Sequence, residues 1–235
     1  MKPSSESQSL TWPVLAWLSV FLAGIAVPAA ALLVLLDGAA DIPLILVAAP
    51  ILAIGLMGAG MISAAAAGRF WIGVLLSVMT GTGLLLLAST LAVPAVADPV
   101  SIGLVFLIAS ISFAARGALF AKSAAGKGWW IAIFVVGGEA AILITASVEP
   151  GALPDWLLVL LPAQWANIAI QTVLSGAGMF APSSALLALG GTAMATLLVA
   201  HLWPRRWPYL IMFTVWLGFS ALVWYRPAPP IEALI

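Results

Sequence analysis

Residues 157–178, LLVLLPAQWANIAIQTVLSGAG, decide how many times this chain crosses a membrane. The segment is long enough to span a bilayer, which takes about 20 apolar residues. Its polar residues Gln164, Asn167 and Gln171, however, recur at steps of three and four and therefore form one stripe along a helix. Such a stripe is typical of an amphipathic helix at the membrane surface or of a re-entrant helix. We expect one of these two structures here, and a full span is the alternative.

The composition of the whole chain is that of a membrane protein. Hydrophobic residues make up 64% of the sequence and charged residues 7%, and the mean hydropathy is +1.22. Soluble domains have roughly 45–50% apolar and about 25% charged residues. The lipid bilayer is therefore the expected environment, and long apolar runs in a bilayer form helices.

Seven further segments are apolar enough and long enough to cross the membrane. They cover residues 11–36, 43–67, 70–93, 100–121, 129–148, 184–203 and 207–225. The sequence thus predicts an all-α polytopic transmembrane helical bundle with seven spans, or eight if 157–178 also crosses. We expect a single transmembrane domain at 11–226, between a polar N-terminal tail at 1–10 and a short C-terminal tail at 227–235.

The charges between the spans alternate in sign along the chain. Lys2 precedes the first span and Asp41 follows it. Arg69 then marks a basic turn, and Asp98 marks the acidic turn after that. Because basic turns stay in the cytoplasm, the N-terminus is predicted to be cytoplasmic. Seven spans also keep Arg205 and Arg206 in the cytoplasm, whereas eight would place them outside. The composition, rich in alanine and glycine and poor in lysine, fits the inner (plasma) membrane of a bacterium.

Several kinds of site are excluded by composition. A net charge of zero offers no basic surface for nucleic acid. The chain has no cysteine, which excludes thiolate metal sites, and its single histidine, His201, cannot form a bis-histidine haem site alone. His201 is instead expected to form hydrogen bonds at the membrane interface. The sequence contains no H-E-x-x-H, G-x-S-x-G or P-loop motif, which disfavours an enzyme without excluding one, and it identifies no cofactor.

One carboxylate interrupts the fifth span. Glu139 lies 11 residues after Gly128, about 16 Å along a helix and thus near the membrane midplane. Burying a charge there costs at least about 2.5–3.5 kcal/mol, so a partner is expected. Arg116 lies in the preceding span, which runs in the opposite direction. Because side chains lean toward the N-terminus of their own helix, the two should point at each other. We therefore predict a Glu139–Arg116 contact, direct or through water or Ser112.

These patterns favour one class of function and leave a second class as the alternative. The first is a non-catalytic accessory or assembly subunit of a larger membrane complex, which would bind partner subunits; the very short loops favour this class. The second is a small secondary transporter or channel, coupled to protons through Glu139. The candidate binding or coupling residues, besides Glu139, are Arg116, Ser112, Gln164, Asn167, Gln171 and His201. A subunit should present an apolar face to a partner, whereas a transporter should contain a polar path.

Overall fold

The computed structural model describes residues 5–38, 44–91, 98–124, 126–178, 180–205 and 207–226. Lys2, Asp41 and Arg206, three of the charges that bear on the topology, lie outside these residues, as does the C-terminal tail. All regular structure in the described part is helical, which confirms the predicted all-α bundle. The helices are α1 (Ser5–Phe21, Leu22–Ala26 and Val27–Gly38), α2 (Leu44–Met57, Gly58–Ile62 and Ser63–Ala67), α3 (Phe70–Thr90), α4 (Pro99–Ser123), α5 (Gly128–Val148), α6 (Asp155–Leu158), α7 (Pro162–Leu174), α8 (Ser183–His201) and α9 (Pro208–Tyr225).

Helices α1 and α2 each contain one π-helical turn, Leu22–Ala26 and Gly58–Ile62, and cross where these turns meet. A Cβ at Gly24 would lie 2.9 Å from Ala59, and one at Gly58 would lie 2.5 Å from a carbonyl oxygen of α1. Only glycine permits this distance between backbones. Small residues at crossings are the usual means of helix association in lipid.

Seven of the helices are long and apolar enough to cross a membrane, as predicted: α1, α2, α3, α4, α5, α8 and α9. Their burial within the bundle differs greatly. Helix α2 is central, because 83% of the residues in its apolar membrane-spanning stretch are buried inside the bundle. In the corresponding stretches of α5 and α9 only 17% are buried. Helices α5 and α9 therefore lie at the periphery, where their apolar side chains suit contact with lipid.

The segment at 157–178 forms a half-helix rather than a span. The short α6 is followed by a break at 159–161, and α7 then runs for 13 residues. That length corresponds to about 20 Å, well short of the roughly 30 Å of hydrocarbon. Most of α7 is buried, with Trp165 and Ile170 fully inaccessible, and it packs against α2, α4 and α8. A buried half-helix is not a surface helix, so of the two predicted structures the re-entrant one is observed.

Two contacts fix the direction of the spans around this half-helix. Lys122 Nζ at the end of α4 donates to Ala200 O at the end of α8 at 2.6 Å, so these two ends lie together. Ser184 Oγ at the start of α8 donates to Arg226 O after α9 at 2.8 Å. The chain between α5 and α8 therefore leaves and returns on the same side. We call this the acidic side, because it also carries Asp98. The opposite end, which carries Arg69, Lys127 and Arg205, is called the basic side.

Asp98 begins α4 on the acidic side. Its Oδ1 accepts the N–H groups of Val100 at 3.1 Å and Ser101 at 3.2 Å, and the Ser101 hydroxyl donates to Oδ2. Pro99 occupies the first helical position, where a missing N–H costs nothing. The hydrogen bond from the Ser101 side chain, followed by the backbone bonds, holds the pKa of Asp98 below its usual value.

This cap makes a prediction about pH. A carboxylate with a lowered pKa in the fold stabilises the protein fully above the unfolded value of about 3.9, and that stabilisation is lost as the pH falls through the folded value. In Asp98→Asn the side chain still accepts a hydrogen bond but does not titrate. We expect the melting temperature of the wild type in detergent to fall more steeply on acidification than that of Asp98→Asn.

Candidate functional site

Glu139 and Arg116 meet inside the bundle. Arg116 Nη1 lies 3.5 Å from Glu139 Oε1, and the two side chains are 15% and 11% exposed. The contact expected from the helix directions is therefore present, and it is direct. Ser112 does not bridge the pair, because its Oγ is buried without a hydrogen-bond partner in the described structure. The pair joins the middle of α5 to the last third of α4, seven residues before the end of that helix.

The second oxygen of Glu139 contacts the re-entrant helix. Ala163 N, in the first turn of α7, donates to Glu139 Oε2 at 3.0 Å. The first N–H groups of a helix have no partner within it, and Leu161, the residue at the N-cap position, offers no side-chain oxygen. Glu139 therefore caps α7 from a different helix. Its negative charge also lies at the positive end of the α7 dipole, an attractive arrangement.

The break before α7 is held by two tryptophan side chains. Trp165 Nε1 donates to Val159 O at 2.8 Å, and Trp216 Nε1 of α9 donates to Leu160 O at 3.1 Å. Irregular backbone at this depth must have its carbonyl groups satisfied by protein or by a water-filled cavity. These bonds supply that satisfaction and hold the N-terminus of α7 beside Glu139.

A cavity of about 480 Å³ lies between this break and the basic side of the bundle. It reaches from Ser123 and Tyr209, near the basic side, up to Pro162 at the start of α7. Helices α5 and α9 flank it, and α4 and α8 form its inner wall. The lining consists of Arg116, Leu119, Phe120, Ser123, Val135, Glu139, Leu160, Leu161, Pro162, Thr192, Thr196, Tyr209, Met212, Phe213 and Trp216. Most of these side chains are apolar, and the only charged ones are those of the Arg116–Glu139 pair.

At the inner end of the cavity, Glu139 has hydrogen-bond partners for both of its oxygens, whereas most of the donors of Arg116 have none among the described residues. Both oxygens of Glu139 accept a bond, one from Arg116 and one from Ala163. A guanidinium carries five N–H donors. In the described structure Arg116 makes a single polar contact, the long one to Glu139, and its side chain also lines the cavity. Arg116 therefore has donors left for a molecule in the cavity.

The other residues singled out in the sequence lie away from this cavity. Asn167 is buried, its Nδ2 donates to Gln164 Oε1 at 3.1 Å, and its own Oδ1 has no partner among the described residues. Gln164 and Gln171 are partly exposed on α7. His201 is exposed at the end of α8 on the basic side. The structure brings Arg116 and Glu139 together and leaves the stripe and the histidine elsewhere.

Three features of the site were not expected from the sequence: the cap on Ala163, the Trp216 bond to the break, and the cavity. One sequence signal for the cap did exist. Proline is favoured at the first helical position, so Pro162 marks a helix start within 157–178. The cavity has no such signal, because its lining comes from five separate parts of the chain.

Comparisons with models of known families, with curated proteins and with solved structures find no match to this chain.

Proposed function

We propose that this multi-pass membrane protein is a small secondary transporter in which Glu139 couples proton binding to movement of α7. The observation that carries the proposal is that one carboxylate, only 11% exposed and at the end of a cavity, contacts both Arg116 and the N-terminus of a half-helix. Half-helix termini at midplane depth are a recurring element of substrate and ion sites in secondary transporters.

The coupling follows from the charge of Glu139. When ionised, the carboxylate attracts the Arg116 guanidinium and the positive end of α7. Protonation removes the negative charge, which weakens both attractions at once. The half-helix is then freer to move relative to α5. In this proposal the cavity is accessible from the basic side, near Ser123 and Tyr209, while Glu139 is ionised. When Glu139 is protonated, movement of α7 makes it accessible from the acidic side instead.

An accessory subunit is the second candidate. The observation in its favour is the exposure of apolar side chains on α1, such as Val14 at 63% and Val34 at 71%, together with the short loops. Such a surface suits a partner helix as well as lipid. The ion pair could stabilise either kind of protein, but a purely accessory subunit has no need of the cavity beside it, so we place this candidate second.

We further propose that the basic side faces the cytoplasm of a bacterial cell, in accordance with the positive-inside rule. Lys127 and Glu149 are exposed at the two ends of α5. In the cysteine-free chain, Lys127→Cys and Glu149→Cys give single thiols on the two sides. In intact cells whose periplasm is open to the reagent, a membrane-impermeant thiol reagent should label Glu149→Cys and not Lys127→Cys.

The transporter proposal is tested with a thiol inside the cavity. Val135→Cys lines the cavity one turn before Glu139, whereas the neighbouring Phe134 is 74% exposed on the outer surface. In sided vesicles at neutral pH, we expect a membrane-impermeant reagent to reach Val135→Cys from the basic side. Adding Glu139→Gln, or lowering the pH, should reduce this labelling several-fold and allow labelling from the acidic side.

Phe134→Cys is the matched control, and its labelling should not respond to the state of Glu139. Lys127→Cys and Glu149→Cys report the orientation of the vesicles. If labelling of Val135→Cys depends on neither pH nor Glu139→Gln, proton-linked access is wrong. Native mass spectrometry of the protein extracted in mild detergent separates the second candidate, because a subunit should carry a stoichiometric partner protein.

A further inference from the structure

We infer that the cavity between α5 and α9 binds a single-chain amphiphile with an anionic headgroup, held by Arg116 at the inner end, with the chain along the apolar walls. As the substrate class of the transporter, this deepens the function proposed above. Binding alone, however, can be tested without any assay of transport.

The preference for an anion follows from the groups at the inner end. Arg116 contributes a full positive charge, and the N-terminus of α7 contributes roughly half a unit. Glu139, the only anionic side chain in the lining, offsets one unit, so the inner end keeps a net positive charge of about half a unit. Several donors of Arg116 have no protein acceptor in the described structure. A carboxylate or a phosphate would satisfy these donors with charge-assisted hydrogen bonds, whereas an ammonium group cannot accept a hydrogen bond from them.

The preference for an apolar chain follows from the rest of the lining. Phe120, Val135, Met212 and Phe213 present only aliphatic and aromatic surface. The hydroxyls of Thr192 and Thr196 already donate to carbonyl oxygens of α8, at 2.6 Å and 2.7 Å. They therefore offer no donors to a polar ligand. The volume of about 480 Å³ falls within the usual range of roughly 300–1,000 Å³ for small-molecule sites.

The position of the cavity gives a chain access from the bilayer. Helix α5 packs on α2 and α4, and α9 packs mainly on α8. These two peripheral helices flank the cavity from opposite sides. Val135 of α5 and Phe213 of α9 line it, and Phe134 and Leu210 on the same helices are 74% and 73% exposed. An amphiphile in the membrane thus needs to pass only between α5 and α9.

The experiment uses the full chain in phosphatidylcholine nanodiscs with a photoactivatable palmitic acid analogue. The amine and the alcohol of the same chain length serve as competing probe chemistries. We expect the carboxylate to crosslink to cavity residues such as Val135, Met212 and Phe213, as located by mass spectrometry. Arg116→Gln should reduce this labelling about tenfold or more, because it removes a charged hydrogen-bond donor. Arg69→Gln, which removes an exposed arginine on the basic side, should leave it unchanged.

A second variant keeps the ion pair intact, in case Arg116→Gln fails to fold. Val135→Trp fills the cavity and should abolish the labelling, whereas Phe134→Trp on the outer surface should not. Equal cavity labelling by the amine or the alcohol would overturn the anionic class. Crosslinks confined to lipid-facing residues, insensitive to Val135→Trp, would overturn the site itself. In both cases the transport proposal is still tested separately, by whether Glu139→Gln changes the thiol labelling of Val135→Cys. Conversely, photolabelling without that response would support the amphiphile site and reject transport.

Discussion

Glu139→Ala is expected to lower the free energy of unfolding by about 3–5 kcal/mol. The substitution leaves the Arg116 guanidinium, 15% exposed, without its counter-charge, and it leaves the Ala163 N–H without an acceptor. Breaking a buried pair from one side is costly because the remaining charge cannot be solvated. The measurement is reversible unfolding in mixed micelles, followed by circular dichroism. Glu149→Ala, an exposed acidic residue at the end of the same helix, should change the value by no more than about 0.5 kcal/mol.

The two contacts of Glu139 can be separated by exchanging its charge with that of Arg116. In the double variant Glu139→Arg, Arg116→Glu the ion pair can re-form, but a guanidinium at position 139 cannot accept the Ala163 N–H. We therefore expect the double variant to be more stable than either single reversal and less stable than the wild type. The remaining deficit should be about 1–3 kcal/mol, the usual cost of an unsatisfied buried donor. No rescue at all would contradict the pair, and complete rescue would contradict the cap on α7.

The Arg116–Glu139 contact could be predicted from the sequence because it depends on simple rules. Two antiparallel neighbouring spans, each with one charge within the hydrocarbon, leave few other partners, and the direction of side chains on a helix does the rest. The same reasoning could not identify the contact of Glu139 with Ala163. That contact depends on how deep the re-entrant segment enters the bundle, and the depth is set by packing of α7 against α2, α4 and α8.

The bounds and the environment of the re-entrant helix show a second limit. The polar stripe at Gln164, Asn167 and Gln171 correctly distinguished a half-helix from a span. It did not indicate that Trp165 and Asn167 would both be buried, because a stripe does not state which neighbours cover it. Similarly, α2 is the central helix, yet its mean hydropathy of 2.3 hardly differs from the 2.2 of the peripheral α1. The hydropathy of a segment therefore indicates whether it inserts into the membrane, but not whether it lies at the centre or the periphery of the helical bundle.

Gly117→Ala is the second substitution with a large expected effect. A Cβ at Gly117 of α4 would lie 2.2 Å from the carbonyl oxygen of Met61 and 2.9 Å from the Cβ of Ala64. Both neighbours belong to α2. The nearest atom is a backbone oxygen within the π-helical turn Gly58–Ile62, so the clash cannot be relieved by movement of a flexible side chain. The two helices would have to separate. Overpacking typically costs about 1–3 kcal/mol, and a clash with backbone should reach the upper end, about 3 kcal/mol.

Gly103→Ala is the matched control on the same helix, because a Cβ there meets nothing within 4 Å. It should be neutral or slightly stabilising, since alanine favours helix more than glycine does. The comparison also bears on the site, because Gly117 directly follows Arg116 and a displaced α4 would carry the guanidinium away from Glu139. Gly117→Ala should therefore reduce photolabelling of the cavity as well as stability, while Gly103→Ala changes neither. Equal stability of the two variants would mean that α2 and α4 do not approach as closely as the structure has them, and the geometry of the ion pair would have to be revised with them.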